Sequence, residues 1–164
     1  MRAGVLTVSD GVSSGHREDR SGDLAAVMLE ELGLDVQRRV VPDGIEPVQE
    51  ALRTWVEEEL ALVVTTGGTG FAPRDLTPEA TAPLIERPAP GLSEAMRAAT
   101  FAENPYGMLS RGVAGVIGQT LVINLPGSPA GVRESLEVVA PALPHALRLL
   151  RETATDHHPP QESE

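Results

Sequence analysis

Cysteine and lysine are both absent from the 164-residue sequence. Without cysteine there is no disulfide framework, no thiolate metal centre and no cysteine nucleophile. Without lysine there is no P-loop lysine, no Schiff base and no lysine general base. All 13 cationic side chains are arginine, so a bound phosphate must be gripped by backbone N–H groups, guanidinium groups or a metal. No apolar run reaches membrane-spanning length, and Met1-Arg2-Ala3-Gly4-Val5 enters a strand-like segment without the basic and apolar stretches of a secretory leader. The expectation is a cytoplasmic protein that engages no membrane. A formal net charge of −11 repels nucleic-acid phosphates, so nucleic acid is not an expected partner. Apolar residues nevertheless make up 41% of the chain, which excludes a disordered polyanion. The length fits one domain, expected over residues 1–152, with a polar, disordered tail over 153–164 that carries His157 and His158.

Val5-Leu6-Thr7-Val8 is a short, β-branched run that ends in a polar stretch from Ser9 to Gly22, which reads as a buried strand followed by a long loop. Leu24, Val27, Met28 and Leu32 then recur at helical spacing, and Gly33 stands where a helix stops. The unit repeats with a strand over Val36–Val41, a turn at Pro42-Asp43-Gly44 and a helix whose apolar face is Val48, Ala51, Leu52, Trp55 and Val56. Leu60–Thr66 is nearly all apolar, as expected of a central parallel strand covered on both faces. A helix start is expected at Thr77-Pro78-Glu79, with Thr77 as cap, and another helix over Ser93–Phe101. Val113–Ile117 and Thr120–Leu125 flank Gly118-Gln119 as a hairpin, before a C-terminal helical region broken at Pro141 or Pro144. The pattern predicts an α/β three-layer sandwich, its sheet mostly parallel, with helices on both faces and a hairpin in the C-terminal half. Loops that follow parallel strands share one edge of such a sheet, and ligands bind there. Ser9-Asp10, Pro42-Asp43, Thr65–Asp75 and Pro126–Pro129 all follow predicted strands.

Gly67-Gly68-Thr69-Gly70 leaves a strand with glycines that permit positive φ, so it forms either an anion-binding nest or a tight turn. Asp75 is either a Mg²⁺ ligand beside that nest, or a partner of Arg74 or a cap for the following helix. Asp43-Gly44-Ile45-Glu46 has the spacing of a capping box, which would make Asp43 structural. Ser128 and Pro129 either present donors at a helix N-terminus or merely cap and start that helix. His16, His145, His157 and His158 form no metal-ligand pattern.

Taken together, Val63-Val64-Thr65-Thr66-Gly67-Gly68-Thr69-Gly70, then Arg74-Asp75 and Thr77-Pro78-Glu79-Ala80-Thr81, resemble the molybdopterin adenylyltransferase family of MogA/MoaB type. Ser9-Asp10, Asp19-Arg20-Ser21-Gly22, Pro42-Asp43, Met108-Leu109-Ser110-Arg111 and Leu125-Pro126-Gly127-Ser128 resemble further blocks of that family, in order. The resemblance implies a homotrimer and Mg²⁺-dependent transfer of AMP from ATP to the phosphate of molybdopterin, with release of pyrophosphate. It implies that Asp43 and Asp75 are the essential acids and metal ligands. Phosphate and molybdopterin would be bound by Thr66, Gly67, Gly68, Thr69, Gly70 and Ser128, and the nucleotide by Ser9, Asp10 and Gly127. The alternative on the same fold is a pterin-binding or scaffold protein without turnover; a more distant one is hydrolysis or deamidation of a nicotinamide nucleotide.

Overall fold

The computed structural model describes residues 1–152, so the tail expected over 153–164 lies outside the described residues. Strands β1 (Arg2–Val8), β2 (Asp35–Val41), β3 (Leu62–Thr66), β4 (Arg87–Pro88), β5 (Ala114–Ile117) and β6 (Thr120–Leu125) form one six-stranded sheet in the order β2-β1-β3-β6-β5-β4. The first four in that order are parallel, while β5 runs antiparallel to both its neighbours. Helices α1 (Asp10–Ser13), α2 (Arg20–Glu31), α3 (Ile45–Glu57), α4 (Thr77–Thr81), α5 (Pro90–Glu103), α6 (Pro129–Val139) and α7 (Leu143–Arg151) connect the strands, with short 3-10 turns over Ala82–Leu84 and Pro105–Leu109.

Strand alternation separates two cores. Val5, Leu62, Val64, Ile123 and Leu125 point to one face and pack with Leu29, Met96, Leu136, Val139 and Leu147 of α2, α5, α6 and α7. Leu6, Val8, Val63 and Val122 point the other way, against Val48, Leu52 and Trp55 of α3 and Ala80 of α4. All five residues of β3 are buried, which accounts for the near-continuous apolar run that marks this strand. The expected three layers and the hairpin at Gly118-Gln119 are present.

Several local expectations need correction. The stretch from Ser9 to Gly22 is not one long loop: Ser9 caps α1 through Val12 N–H, and Asp19 caps α2 through Gly22 N–H. Thr77 does not cap α4; it lies inside the helix, and its buried hydroxyl donates to the Gly67 carbonyl at 2.9 Å. The helix expected over Ser93–Phe101 is longer: α5 begins at Pro90, two residues after β4 ends at Pro88, and runs on to Glu103.

Candidate functional site

β1, β3 and β6 are adjacent and parallel, so the segments leaving Val8, Thr66 and Leu125 emerge side by side. The glycines let them touch. Gly67 N–H donates to the Leu125 carbonyl at 3.3 Å, and a Cβ added to Gly67 would collide with the Val8 carbonyl. On the other side, a Cβ on Gly127 would stand 3.2 Å from Gly67 Cα. Gly67 and Gly68 have φ of 94° and 66°, the left-handed region that side chains disfavour. Ser21 of α2 donates to the Gly127 carbonyl at 2.7 Å and ties the third loop to the first.

Arg111 holds this loop from behind. Its backbone N–H donates to Thr69 O at 2.9 Å, Nε to Gly70 O at 2.8 Å and Nη2 to Asp75 O at 2.6 Å, while its guanidinium also pairs with Glu79. A planar five-donor group thus occupies carbonyls of the 69–75 segment. The Arg111 guanidinium in turn holds the Glu79 carboxyl below the usual carboxylate range.

A second latch crosses the first two loops. Asp10 N–H donates to the Asp43 carboxylate at 2.9 Å and Asp43 N–H donates to the Asp10 carboxylate at 3.1 Å. Arg74 donates to both Asp10 oxygens at 2.6 and 3.0 Å and to the Asp43 carbonyl at 2.8 Å. Asp10 is held below its ordinary range chiefly by the hydrogen bond from Arg74. The capping role of Asp43 is therefore overturned: Gly44 is the N-cap of α3 and no side chain caps that end. Asp75 pairs with neither Arg74 nor a helix end; its carboxylate accepts from Ala72 N–H at 2.9 Å. Ser128 does cap α6, accepting from Gly131 N–H at 3.1 Å.

Two clefts meet at these loops. The larger, about 820 Å³, is lined by Ser9, Asp43, Thr66, Gly67, Gly68, Asp75, Gly127 and Ser128, together with Arg17 and Arg20. The smaller, about 470 Å³, takes in Thr69 and Gly70 and runs between α5 and α6, where Ser93, Arg97 and Glu134 line it. Gly68, Asp75, Gly127 and Ser128 belong to both. Every sequence-predicted site residue thus lines a cleft except Asp10, which is engaged in the Arg74 latch. Arg111, Ser93, Arg97 and Glu134 were not singled out from sequence; only the block Met108–Arg111 signalled that its neighbourhood mattered.

Asp43 and Asp75 flank the glycine loop: a Cβ on Gly68 would lie 3.5 Å from Asp43 Oδ1, and one on Gly70 would lie 2.8 Å from Asp75 Oδ2. Two hard oxygen donors beside an anion nest suit Mg²⁺, which takes one or two carboxylates and shares phosphate oxygens. Among the described residues no group of three or more His, Cys, Asp and Glu side chains could hold a metal, so an all-protein cage is not offered.

The chain matches, over residues 4–145, the model of the family described as the probable molybdopterin binding domain. It is 41% identical to a molybdopterin adenylyltransferase of Helicobacter pylori over 154 residues, covering 92% of this chain and 88% of that protein. It is 45% identical to gephyrin of Dictyostelium discoideum over 158 residues, but spans only 22% of that protein's length. Among solved structures, the molybdopterin biosynthesis enzyme MoaB of Thermus thermophilus superposes with a TM-score of 0.86 at 50% identity, covering 91% of this chain and 95% of that one.

Proposed function

The chain belongs to the family of probable molybdopterin binding domains, and from that membership we propose that it acts in molybdenum-cofactor biosynthesis by transferring AMP from ATP to the phosphate of molybdopterin. The observation that carries this reading is the pair of clefts sharing Gly68, Asp75, Gly127 and Ser128. A reaction between two phosphates needs two binding spaces that open on one anion-binding point.

The larger cleft, with Arg17, Arg20, Ser9 and Asp43 on its walls, suits the triphosphate of ATP. The smaller one, walled by helix faces, suits the pterin, whose phosphate would reach the Thr66–Gly70 loop and the α6 N-terminus at Ser128. A phosphate monoester has a second pKa of about 6, so near neutral pH it is already an anionic nucleophile and needs no side-chain base. Its oxygen attacks the α-phosphorus of ATP, the bond from that phosphorus to the bridging oxygen breaks, and pyrophosphate leaves with the electron pair. The work left to the protein is alignment and charge neutralisation. Gly67 and Gly68 let N–H groups approach the phosphates, and Arg111 fixes the loop that carries them. Asp43 and Asp75 would hold Mg²⁺, which when bound neutralises phosphate charge. The chain is taken to work in the cytoplasm as a homotrimer, with residues 1–152 as its ligand-binding domain.

The test is to incubate the protein with ATP, Mg²⁺ and molybdopterin and to follow pyrophosphate and adenylated pterin. Equimolar appearance of both products is expected. Tight binding of molybdopterin with no pyrophosphate would replace this reading with the scaffold alternative.

A further inference from the structure

Among the described residues, the smaller cleft contains charged side chains without an ion-pair partner. Glu134 of α6 is half-buried and lines the cleft, yet among the described residues its carboxylate has no hydrogen-bond or ion-pair partner. Arg97 of α5, part-buried, lines the same cleft; its Nη1 donates to Gly112 O at 2.9 Å, and among the described residues no carboxylate lies within ion-pair distance. Ser93, one helical turn before Arg97, is 3% exposed, and its Oγ is a buried side-chain polar atom without a partner. α5 and α6 pack side by side. One helix therefore contributes donors and the other an acceptor, and each still has hydrogen-bonding capacity to fill.

A carboxylate has two coplanar acceptor oxygens and offers no donor, so it matches a ring edge that presents two neighbouring N–H groups. The 2-amino-pyrimidinone edge of a pterin is such an edge. Glu134 lies six residues beyond Ser128 in α6, and at about 1.5 Å per residue this puts it about 9 Å along the helix from the proposed phosphate point. That span is on the scale of a fused-ring system running from its phosphate to its far edge.

We propose that Glu134 is the residue that selects the pterin ring, its carboxylate accepting from the ring's N3–H and 2-amino group, while Arg97 on the facing helix donates to the ring's acceptors. The inference rests on the proposed function and adds to it the group that reads the ring's 2-amino-pyrimidinone edge.

The experiment compares two fluorescent probes, a pterin monophosphate and the corresponding lumazine monophosphate, in which an oxygen replaces the 2-amino group. Each is titrated into the full chain and into Glu134→Gln, with ATP affinity and a melting curve measured in parallel. The unaltered protein should prefer the pterin by at least about tenfold, because the lumazine turns an acceptor towards the carboxylate. Glu134→Gln should reduce that preference to about twofold or less, since its amide serves a donor or an acceptor equally well. ATP affinity should not change, because Glu134 does not line the larger cleft. A purely structural Glu134 would shift the melting temperature and weaken both probes alike. An unchanged preference in Glu134→Gln overturns this inference alone, as does equal binding of the two probes by the unaltered protein. Binding of neither probe by the unaltered protein overturns the proposed function with it.

Discussion

The two clefts share a floor but are built on different principles. In the larger one the loop residues are bonded to one another: Asp10, Asp43 and Arg74 interlock across two loops, and Thr7 and Arg38 both donate to Asp19 at 2.7 Å. In the smaller one the faces of α5 and α6 form part of the wall beside the 104–112 segment, and there Ser93, Arg97 and Glu134 are left with capacity to spare. Loops have no rigidity of their own, so charges carried on them must be braced before a ligand arrives. Helix backbones are already satisfied, so side chains on them can wait unpaired for a ligand. Under the proposed function, the contrast suits chemistry in the braced cleft and recognition in the open one.

The sharpest way to break that division is Asp75→Asn, because Asp75 lines both clefts. The amide keeps the shape of the side chain and removes the charge that Mg²⁺ requires. Turnover at saturating ATP, Mg²⁺ and molybdopterin should fall by at least about a hundredfold, or ~2.7 kcal/mol of transition-state stabilisation. Molybdopterin affinity should hold or improve, since a negative charge near its phosphate is lost. Near-normal turnover in the folded variant would remove Asp75 from the chemistry.

Gly68→Ala comes next, and it should damage both clefts at once. At φ 66° an added Cβ is strained by about 1–2 kcal/mol, and it would also collide with Thr77 Oγ1, which the Gly67 carbonyl holds in place. Calorimetry should show ATP and molybdopterin each binding about tenfold more weakly, with a lower melting temperature. Loss of stability with both affinities intact would reduce the loop to a turn.

Much of this was legible in the sequence, and the failures share a cause. Leu62–Thr66 and the Gly67–Gly70 loop were readable because burial on both faces and positive φ select residue types locally. Ser128 was readable as a cap because its partner, Gly131, is three residues away. The capping alternative for Asp43 and the Arg74–Asp75 pair fail because the actual partners lie far along the chain, in the Asp10 segment, where no spacing rule reaches. Thr77 followed the rule for a cap, but its hydroxyl instead serves Gly67 across the loop. β4, only two residues long and containing a proline, left no alternating pattern to find. The unpaired residues of the open cleft lay on α5 and α6, where a Ser, an Arg and a Glu resemble an ordinary solvated face.

Arg111→Lys sharpens the comparison from behind the shared loop. A lysine keeps the charge but not the planar fork that reaches Gly70 O, Asp75 O and Glu79 together. KM for both substrates should rise by about fivefold, and the loss of about 1 kcal/mol of loop bracing should lower the melting temperature by a few degrees. A rise in KM for only one substrate would show that Arg111 braces one cleft and not their common floor.

The smallest effect isolates the braced cleft by pH. Asp10 is held below its ordinary range, first by the hydrogen bond from Arg74, so its folded form prefers to be ionised more than the unfolded chain does. The stability this gives is fully present above the unfolded carboxylate range and is lost as pH falls through the lower, folded value. Both side chains are substantially exposed, at 64% for Arg74 and 48% for Asp10, so solvent screens the pair and the effect is modest. Arg74→Gln should therefore melt slightly below the unaltered protein at about pH 7, and the gap should narrow as the buffer is taken towards about pH 3. It should not close entirely, because Arg74 also donates to the Asp43 carbonyl, an acceptor that does not titrate. Raised salt should shrink the gap at neutral pH and leave it unaltered in acid. Pterin affinity, which under the proposed function draws on the other cleft, should be the same in both proteins at neutral pH. A gap of constant size across this range would mean that Arg74 braces the loops through the carbonyl alone, and that the Asp10 charge takes no part in holding the nucleotide side together.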